Sequence, residues 1–270
     1  MQIGNRVFDF TNDAYIMGIL NVTPDSFSDG GKYNTLDTML FQTERMINEG
    51  ASIIDVGGES TRPGYTMISD DEEIGRVVPA IKAIKQRFDI PVSLDTYKSR
   101  VAKAGVEAGA DLINDIWGFK YDSAIAEVVA EANVACCLMH NRDNMNYGDF
   151  VLDVMEDLRQ CIRIAKTHGV NEEKIILDPG VGFAKTYENN LEIINKCDKL
   201  LELGYPILLG TSRKSVIGIT LENEAKDRAV GTAATTVIGY ERGCRIFRVH
   251  DVKENMEALK MTQAICRGYK

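Results

Sequence analysis

Polar residues able to do chemistry stand where short apolar runs of this sequence end. They comprise two acids, an amide and three basic residues, namely Asp95, Asn114, Asp178, Lys214, Arg248 and His250. Carboxylates and an amide deep in a pocket match a flat heterocycle with N–H donors and ring acceptors, because polar groups shielded from water need partners. Arg248 and His250, with Ser212 and Thr61, match a phosphate group. The set indicates a site for a phosphate-bearing heterocycle.

A loop rich in oxygen ligands follows the first apolar run. The run AYIMGIL leads directly into NVTPDSFSDGG at 21–31. Asn21 and the oxygens of this loop suit Mg²⁺, which prefers oxygen ligands and usually bridges substrate phosphates. We expect Asn21 to end the first strand beside the metal. The rest of the loop, with its glycines, is expected to fold over the site as a lid.

Each polar residue also has a purely structural explanation. Asp95 and Asp178 could each cap the next helix, and Lys214 could be a solvated lysine at a helix start, although a cation there opposes the helix dipole. Such explanations hold for one position at a time. The recurrence of polar residues at all the strand ends favours a functional site.

The elements that must position these residues alternate between strand and helix patterns. Eight β-branched apolar runs are AYIMGILNV from 14, SIIDVGG from 52, PVSLDT from 91, DLINDI from 111, VACCLMH from 134, KIILDPG from 174, PILLGTSR from 206 and RIFRVHD from 245. Between several of them lie segments with a 3.6-residue period, namely 35–51, 71–88, 98–110, 148–169 and 188–204. The strands begin about 33 residues apart, the spacing of repeated βαβ units in a parallel sheet.

Eight such units predict an α/β protein with a closed (β/α)₈ TIM barrel, preceded by a short N-terminal hairpin within residues 2–10. The strand ends of such a barrel share one face, which carries the chemistry. An open doubly wound sheet is the alternative, but no G-x-G-x-x-G follows the first strand. We see no linker or composition change, so residues 1–270 are expected to form a single domain.

Composition excludes several classes of partner. The chain has 270 residues, is 44% hydrophobic and 26% charged, and carries a formal charge of −9. An acidic protein does not suit nucleic acid or an anionic membrane, both of which need a basic face. The start MQIGNRVFDF lacks a basic end followed by an apolar stretch, and no apolar run approaches the roughly 18 residues that span a bilayer. We expect a cytoplasmic protein with small-molecule partners.

The cysteines and histidines do not form a metal site in the sequence. Six cysteines include no C-x-x-C pair, and two of them, Cys136 and Cys137, are adjacent within an apolar run. Buried reduced thiols explain them better than disulfides or zinc. None of the three histidines pairs with another at the spacing of metal ligands.

Long motifs of this chain resemble the dihydropteroate synthases of folate biosynthesis. The two signature stretches of that family are similar to MGILNVTPDSFSDGG at 17–31 and IIDVGGESTRPG at 53–64. Further matches are SLDTYKS from 93, INDI from 113, LDPGVGFAK from 177, GTSRKSVIG from 210 and RVHD from 248. The matches occur in the family's order over nearly the whole chain. The resemblance implies a (β/α)₈ barrel and a transferase that joins 6-hydroxymethyl-7,8-dihydropterin diphosphate to 4-aminobenzoate, which gives 7,8-dihydropteroate and diphosphate.

The resemblance also implies roles for single residues. The pterin ring would be held by Asp95, Asn114, Asp178 and Lys214, the diphosphate by Thr61, Arg248 and His250, and Mg²⁺ by Asn21. The 4-aminobenzoate would be held by Phe27, Pro63, Phe183, Lys214 and Ser215. The residues nearest the reaction would be Asp95, Lys214, Arg248 and His250. Helices on the barrel exterior and the resemblance together favour a homodimer. Only Lys214 lies in the seventh-strand motif, so we expect it to matter far more than Lys185.

Two positions depart from the family pattern. Ala184 stands in a Gly-Phe-Ala-Lys run where many members have Gly-Phe-Gly-Lys, and Val216 stands where Phe is frequent. Val216 is expected to reshape the rim of the 4-aminobenzoate site, Ala184 is one methyl group larger than glycine, and both bear on sulfonamide sensitivity. The stretch HNRDNMNYGD from 140 is unusually polar, and the sequence assigns it no role.

Other functions fit parts of the pattern. A pterin-binding methyltransferase domain shares the barrel, but it is not expected to carry NVTPDSFSDGG or RVHD. A non-catalytic pterin-binding or phosphate-binding barrel would be favoured by loss of Asn21, Asp95, Lys214 or His250, and all four are present. A sugar-phosphate enzyme is compatible with the fold alone, since this fold hosts many chemistries.

Overall fold

A computed structural model of the chain describes residues 1–23, 32–59 and 67–268. It begins with an antiparallel hairpin, in which β1 (Gln2–Ile3) pairs with β2 (Arg6–Val7). The turn between these strands contains Gly4 at φ +59°, a backbone conformation that favours glycine. The predicted hairpin within residues 2–10 is confirmed.

Eight parallel strands form the centre of the molecule. They are β3 (Tyr15–Asn21), β4 (Ile53–Gly57), β5 (Val92–Asp95), β6 (Leu112–Asp115), β7 (Ala135–Met139), β8 (Ile175–Asp178), β9 (Leu208–Leu209) and β10 (Ile246–Val249). The sheet order is β8-β7-β6-β5-β4-β3-β10-β9. A parallel bridge between Leu177 and Ile207 joins its two ends, supported by a hydrogen bond from the Leu177 N–H to the Pro206 carbonyl at 2.9 Å. The strands therefore form a barrel, as predicted.

Helices connect the strands around the outside of the barrel. They are α1 (Lys32–Glu49), α2 (Asp70–Arg87), α3 (Ser99–Glu107), α4 (Ala124–Ala132), α5 (Phe150–Thr167), α6 (Tyr187–Asn195), α7 (Cys197–Leu200), α8 (Ser215–Leu221), α9 (Ala229–Glu241) and α10 (Val252–Arg267). In the described part of the chain, no helix combines the length and the apolar character that crossing a bilayer requires.

Alternation along the strands divides the apolar residues into two layers. One cluster lies between the strands and the helices. A second cluster fills the lower interior of the barrel and contains Met17, Ile53, Leu112, Ile176 and Ile246, together with Ile3 and Phe8 from the hairpin segment. Side chains of a strand point alternately to its two faces, so the inward positions further along β4, β5, β6, β8 and β10 are Asp55, Asp95, Asn114, Asp178 and Arg248. The barrel is apolar at its base and polar at its mouth.

Two predicted elements differ in extent from the structure. The run 206–213 contributes only the two residues of β9, because the chain turns at Thr211, whose carbonyl accepts the Lys214 N–H at 3.1 Å. The helical segment 188–204 is broken at Lys196, where φ is −109° and ψ is 20°. Ile194 and Leu200 are both buried on either side of this break.

Five of the six cysteines are buried and reduced, whereas Cys266 is exposed.

Candidate active site

One row of strand residues aligns three predicted site residues. In the sheet register Asn21 lies beside Gly57, Gly57 beside Asp95, and Asp95 beside Asn114. Gly57 keeps this row open, because a Cβ atom there would lie 3.7 Å from Asn21 Oδ1 and 3.7 Å from Asp95 Cβ. Asn114 is buried, and its side chain makes no hydrogen bond within the described parts of the chain. Its amide is available to a ligand in the mouth.

The opposite wall of the mouth is built around Gly210. A Cβ atom at this glycine would lie 3.6 Å from Asp178 Oδ2, 3.9 Å from Lys214 Nζ and 3.9 Å from Arg248 Cβ. Asp178 is the last residue of β8, Lys214 lies in the segment after β9, and Arg248 lies in β10. The structure thus brings the carboxylates, the amide and the cations of the sequence prediction into one mouth.

Arg248 lies between two carboxylates. Its Nε donates to Asp55 Oδ2 at 2.6 Å, and its NH2 group donates to Asp95 Oδ2 at 2.6 Å. Burial opposes the charge, but the two carboxylates outweigh it and raise the pKa of Arg248 above its ordinary value. The guanidinium is therefore a fixed positive charge at the mouth, held by acceptors from β4 and β5.

Asp95 has an unsatisfied oxygen. Its Oδ1 is buried and has no hydrogen-bond partner within the described ranges. Burial raises the pKa of Asp95 to about 7, against the opposing effect of the Arg248 charge. Buried polar atoms in native proteins almost always have partners, so this oxygen marks a place for a ligand donor. Asp95 does not cap a helix, since the next helix is preceded by Lys98.

Asp178 and Lys214 are held by the segment that follows β8. Asp178 Oδ1 accepts the Gly180 N–H at 2.7 Å, and burial raises the pKa of this carboxyl. Lys214 Nζ donates to the Val181 carbonyl at 2.5 Å and lies 4.9 Å from the centroid of the Phe183 ring. Burial lowers the pKa of Lys214 to about 8. The ammonium thus contacts an aromatic face at the barrel mouth.

His250 is fixed by Ser212. The His250 backbone N–H donates to Ser212 Oγ at 3.0 Å, and the same oxygen lies 3.0 Å from His250 Nδ1. When the Ser212 hydroxyl donates to Nδ1, a neutral imidazole carries its hydrogen on Nε2. Ser212, which the sequence placed with the phosphate ligands, is hydrogen-bonded to His250.

The remaining predicted residues divide into two groups. Phe183 is half-buried against the cluster of Tyr97, Ile116 and Met139, and Ser215 is exposed at the first position of α8. Phe27, Thr61 and Pro63 lie outside the described residues, as does most of the loop that was expected to act as a lid. Val216 is buried in the apolar layer behind the mouth. Ala184 adopts a positive φ of 46°, a conformation that suits the glycine frequent there.

Comparison with known proteins identifies the family to which this chain belongs. A family model described as pterin binding enzyme matches residues 17–250. A dihydropteroate synthase of Clostridium beijerinckii is 60% identical over 268 residues, covering 99% of this chain and 100% of the relative. The chain belongs to the dihydropteroate synthase family. A Bacillus subtilis dihydropteroate synthase is 54% identical over 95% of this chain and 90% of its own length.

Solved dihydropteroate synthase structures share the fold. A structure from Clostridium difficile, determined in the presence of pteroic acid, has a TM-score of 0.95 and 50% identity, and the match covers 97% of this chain and 100% of that one. A Xanthomonas albilineans dihydropteroate synthase with 4-aminobenzoic acid has a TM-score of 0.92 and 37% identity, with 98% and 97% of the two chains covered. The TM-score of 0.95 confirms the (β/α)₈ fold that the sequence predicts.

Sequence reasoning missed residues that hold the side chains of the barrel mouth in position. Asp55 holds Arg248, and Ser93 donates to Asp55 Oδ1 at 2.5 Å. A single acid within the apolar run SIIDVGG was a signal that could have identified Asp55, because an isolated buried carboxylate needs a partner.

A buried ion cluster joins the residues on both sides of segment 60–66. Lys98 Nζ donates to Glu59 at 2.8 Å, to Glu73 at 2.8 Å and to the Ile68 carbonyl at 2.9 Å. Glu59 also accepts the Ile68 N–H at 2.9 Å. Burial is the largest influence on each of the three groups, yet the pairing raises the pKa of Lys98 and lowers that of Glu59. The cluster fixes Glu59 and Ile68 relative to β5.

Proposed function

We propose that this chain catalyses the dihydropteroate synthase reaction, in which the methylene carbon of 6-hydroxymethyl-7,8-dihydropterin diphosphate loses diphosphate and bonds to the nitrogen of 4-aminobenzoate. The observation that carries the proposal is the joint placement of Asp95, Asn114, Asp178 and Lys214 at one barrel mouth beside Arg248. The relatives support it, because a Clostridium difficile synthase structure was determined with pteroic acid and a Xanthomonas albilineans one with 4-aminobenzoic acid. The barrel and its hairpin act as a single domain in this proposal.

The pterin ring binds in the polar mouth. Asp95 Oδ1, which has no hydrogen-bond partner in the described ranges, accepts a ring N–H, and Asp178 Oδ2 accepts a second donor. Asn114 and Lys214 supply donors to the ring oxygen and nitrogen acceptors. Ionised Asp95 stabilises positive charge on the ring as the carbon–oxygen bond to diphosphate breaks. Such preorganised charges are commonly the largest contribution to catalysis.

The diphosphate binds next to the cations. Arg248 retains donors beyond its two carboxylate contacts, since a guanidinium carries five N–H groups. His250 contributes Nε2–H, and Thr61 contributes a hydroxyl. The charged donors stabilise the negative charge on the departing diphosphate, which grows as the bond breaks.

Asn21 fits a magnesium ion that is shared with the substrate. Among the described residues there is no group of three or more His, Cys, Asp or Glu side chains that could hold a metal. Mg²⁺ usually retains water and binds one or two protein oxygens together with substrate phosphates, so a single amide oxygen beside the diphosphate site is a suitable donor. The ion would neutralise charge on the leaving diphosphate. Asn21 would hold it, and Arg248 and His250 would act on the same anion.

The 4-aminobenzoate binds against Phe183, Lys214 and Ser215, with Phe27 and Pro63 completing the site. The Phe183 ring provides an apolar face, and the Lys214 ammonium provides a charge complementary to the carboxylate of 4-aminobenzoate. The neutral aromatic amine attacks without a protein nucleophile. Sulfonamides would compete at this site, in keeping with a Yersinia pestis synthase structure solved with a sulfonamide drug complex.

A homodimer is the expected assembly. Apolar side chains are exposed on the adjoining helices α8 and α9, namely Ile219 at 57%, Leu221 at 48% and Val230 at 79%. A second copy of the chain would cover them. Light scattering during size-exclusion chromatography distinguishes a dimer from a monomer, and a monomeric mass at micromolar concentration would contradict the proposal.

The reaction itself gives the decisive test. Purified protein is mixed with the pterin diphosphate, 4-aminobenzoate and Mg²⁺, and both diphosphate and dihydropteroate are measured. We expect equal amounts of the two products, formed only when all components are present. Diphosphate release that ignores 4-aminobenzoate, or no release, would contradict the proposed function. Lys174→Met is a suitable control variant, since Lys174 Nζ contacts the Gln2 carbonyl at the opposite end of the barrel.

A further inference from the structure

A chain of hydrogen bonds connects helix α5 with the segment that holds Lys214. Asp157 Oδ2 on α5 lies 2.9 Å from His140 Nε2, and His140 Nδ1 lies 2.7 Å from Lys185 Nζ. Lys185 Nζ in turn donates to the Phe183 carbonyl at 3.1 Å. His140 is fully buried and Lys185 is 8% exposed. Four groups from three distant parts of the sequence therefore form one buried series.

The geometry fixes the hydrogen positions along this series. The Asp157 carboxylate also accepts from Arg142 Nε at 2.5 Å, so it is ionised and receives the His140 Nε2–H. His140 Nδ1 is then an acceptor, and Lys185 must donate to it. Lys185 keeps a further hydrogen for the Phe183 carbonyl. Every polar group in the series has a partner, which is the condition under which a buried network fixes one conformation.

The polar loop at 141–149 holds the same segment from a second side. Tyr147 Oη donates to the Ala184 carbonyl at 2.8 Å. The Arg142 guanidinium lies 4.5 Å from the centroid of the Tyr147 ring, and its NH1 group donates to the Asn146 carbonyl at 2.8 Å. Two consecutive carbonyls are thus bound by side chains, that of Phe183 by Lys185, which His140 holds, and that of Ala184 by Tyr147 of the polar loop.

These bonds end next to two residues of the proposed aromatic amine site. The Phe183 ring faces the Lys214 ammonium, and the carbonyl of Val181 accepts from it. A shift of segment 180–185 would move the aromatic face and the ammonium together. It would leave Asp95 and Asn114, which are carried by β5 and β6, in place.

We propose that Lys185, His140 and Tyr147 are positioning residues for the 4-aminobenzoate site, because they fix segment 180–185 and through it Phe183 and Lys214. This inference rests on the proposed function and gives the polar loop at 141–149 a role. The three residues touch no substrate in this arrangement. Their effect is larger on the binding of 4-aminobenzoate than on that of the pterin diphosphate, because the pterin also binds Asp95 and Asn114, which lie outside the segment.

Lys185→Met tests the proposal with a matched control. Methionine has a similar length but donates no hydrogen bond, so both bonds of Lys185 are lost. Lys174→Met is the control, since Lys174 Nζ donates to the Gln2 carbonyl at 2.8 Å at the opposite end of the barrel and makes no hydrogen bond to segment 180–185. We expect the KM for 4-aminobenzoate to rise about 10-fold to 100-fold in Lys185→Met, the range for a misplaced positioning group. The KM for the pterin diphosphate should rise much less than that for 4-aminobenzoate in Lys185→Met, and both KM values should stay near the wild-type values in the control.

A second readout needs no turnover. Trp117 is the one tryptophan of the sequence and packs against the same buried cluster of Tyr97, Ile116 and Met139 as Phe183. Acrylamide quenching of its fluorescence should increase in Lys185→Met if the segment loosens, at temperatures where circular dichroism shows folded protein. Tyr147→Phe removes a single hydroxyl and should shift the KM for 4-aminobenzoate and the quenching in the same direction, by less. This variant keeps the proposal testable if Lys185→Met does not fold.

The outcomes separate this inference from the proposed function. If wild-type protein forms no dihydropteroate, the proposed function fails, and the quenching comparison alone decides whether Lys185 orders the segment. If wild type is active but both KM values rise equally in Lys185→Met and Tyr147→Phe, these residues are structural and the inference is wrong. A Lys174→Met variant that matches Lys185→Met, or unchanged quenching in both test variants, would also overturn it.

Discussion

The guanidinium of Arg248 on β10 lies 2.6 Å from the carboxylate of Asp95 on β5, across two intervening strands of the barrel. Only Oδ2 of Asp95 takes part, since Oδ1 has no hydrogen-bond partner in the described ranges. The arginine therefore orients the carboxylate and leaves one oxygen directed at the pocket. A ligand that donates an N–H to this oxygen completes its hydrogen bonding and favours the ionised form.

The first prediction concerns pH. Burial raises the pKa of Asp95 to about 7, so the carboxyl of the free protein becomes protonated below that pH. We expect kcat/KM for the pterin diphosphate to fall about tenfold per pH unit below pH 7. The break in kcat should lie at lower pH, because the bound ring favours the carboxylate. Asp95→Asn should lower kcat/KM and abolish the break, and a retained break would assign it to another group.

Asp55 supports Arg248 from below. Asp55→Asn removes the charge that partners Arg248 Nε, and we expect a loss of about 3 kcal/mol in the free energy of unfolding, typical of a broken buried ion pair. The KM for the pterin diphosphate should rise as well. Ser93→Ala, which removes only the hydroxyl bound to Asp55, should cost about 1 kcal/mol. Urea unfolding measures the loss of stability in Asp55→Asn and in Ser93→Ala, and equal losses in the two variants would argue against a charge effect.

Lys98 is expected to be a stability residue whose effect depends on pH. Lys98→Met leaves Glu59 and Glu73 buried without their cation, which should cost about 3 to 5 kcal/mol at pH 7. Without the lysine both glutamates have raised pKa values, so the variant loses stability as pH rises and approaches wild type as pH falls. Measuring the free energy of unfolding of both proteins at pH 5 and pH 8 tests the direction of this pH dependence. A deficit that is larger at pH 5 would contradict this account.

Lys185 gives the wild-type protein a stability that rises with pH. Burial lowers its pKa from 10.5 to about 7, and the charges of Lys214 and Lys120 act in the same direction, while those of Asp178 and Asp157 oppose them. Between these two pH values the unfolded chain binds more protons, so the free energy of unfolding increases with pH, by an amount on the order of 5 kcal/mol. Lys185→Met should lack this increase. The difference in the free energy of unfolding between wild type and Lys185→Met, followed as a function of pH, separates this increase from the contributions of other titrating groups.

Asn21 should determine the magnesium requirement. We expect Asn21→Ala to raise the Mg²⁺ concentration that gives half-maximal activity about tenfold, because the ion loses its protein oxygen but keeps the diphosphate and water. The activity at saturating Mg²⁺ should recover substantially. Titration of Mg²⁺ at saturating substrates measures this change. An unchanged titration would remove Asn21 from the metal site.

The barrel was predictable because its signals are local. Apolar runs with turn residues between them fixed seven of the eight strands to within one or two residues, as in Val92–Asp95 for the predicted 91–96. The two-residue strand Leu208–Leu209 was harder, since its apolar run continues into a turn that a hydrogen bond at Thr211 defines. Strand ends likewise showed which residues would reach the mouth.

The supporting contacts were not predictable from the sequence because they join distant positions. His140 and Lys185 are 45 residues apart, and Arg248 and Asp55 are 193 residues apart. No periodic pattern relates such pairs, and only closure of the barrel brings them together. The expectation that Lys214 matters more than Lys185 stays a prediction, but the burial of Lys185 makes it unsuitable as an inert control for Lys214.

The hairpin segment at the base of the barrel has a consequence for turnover. Ile3 and Phe8 fill the lower interior together with the first inward residues of the strands, so the part of the barrel described here has a closed floor. Both substrates then enter, and both products leave, through the same opening. A molecule of dihydropteroate that lingers there excludes the next pterin and the next amine alike. A barrel with one opening should therefore show product inhibition by dihydropteroate that is competitive with each substrate.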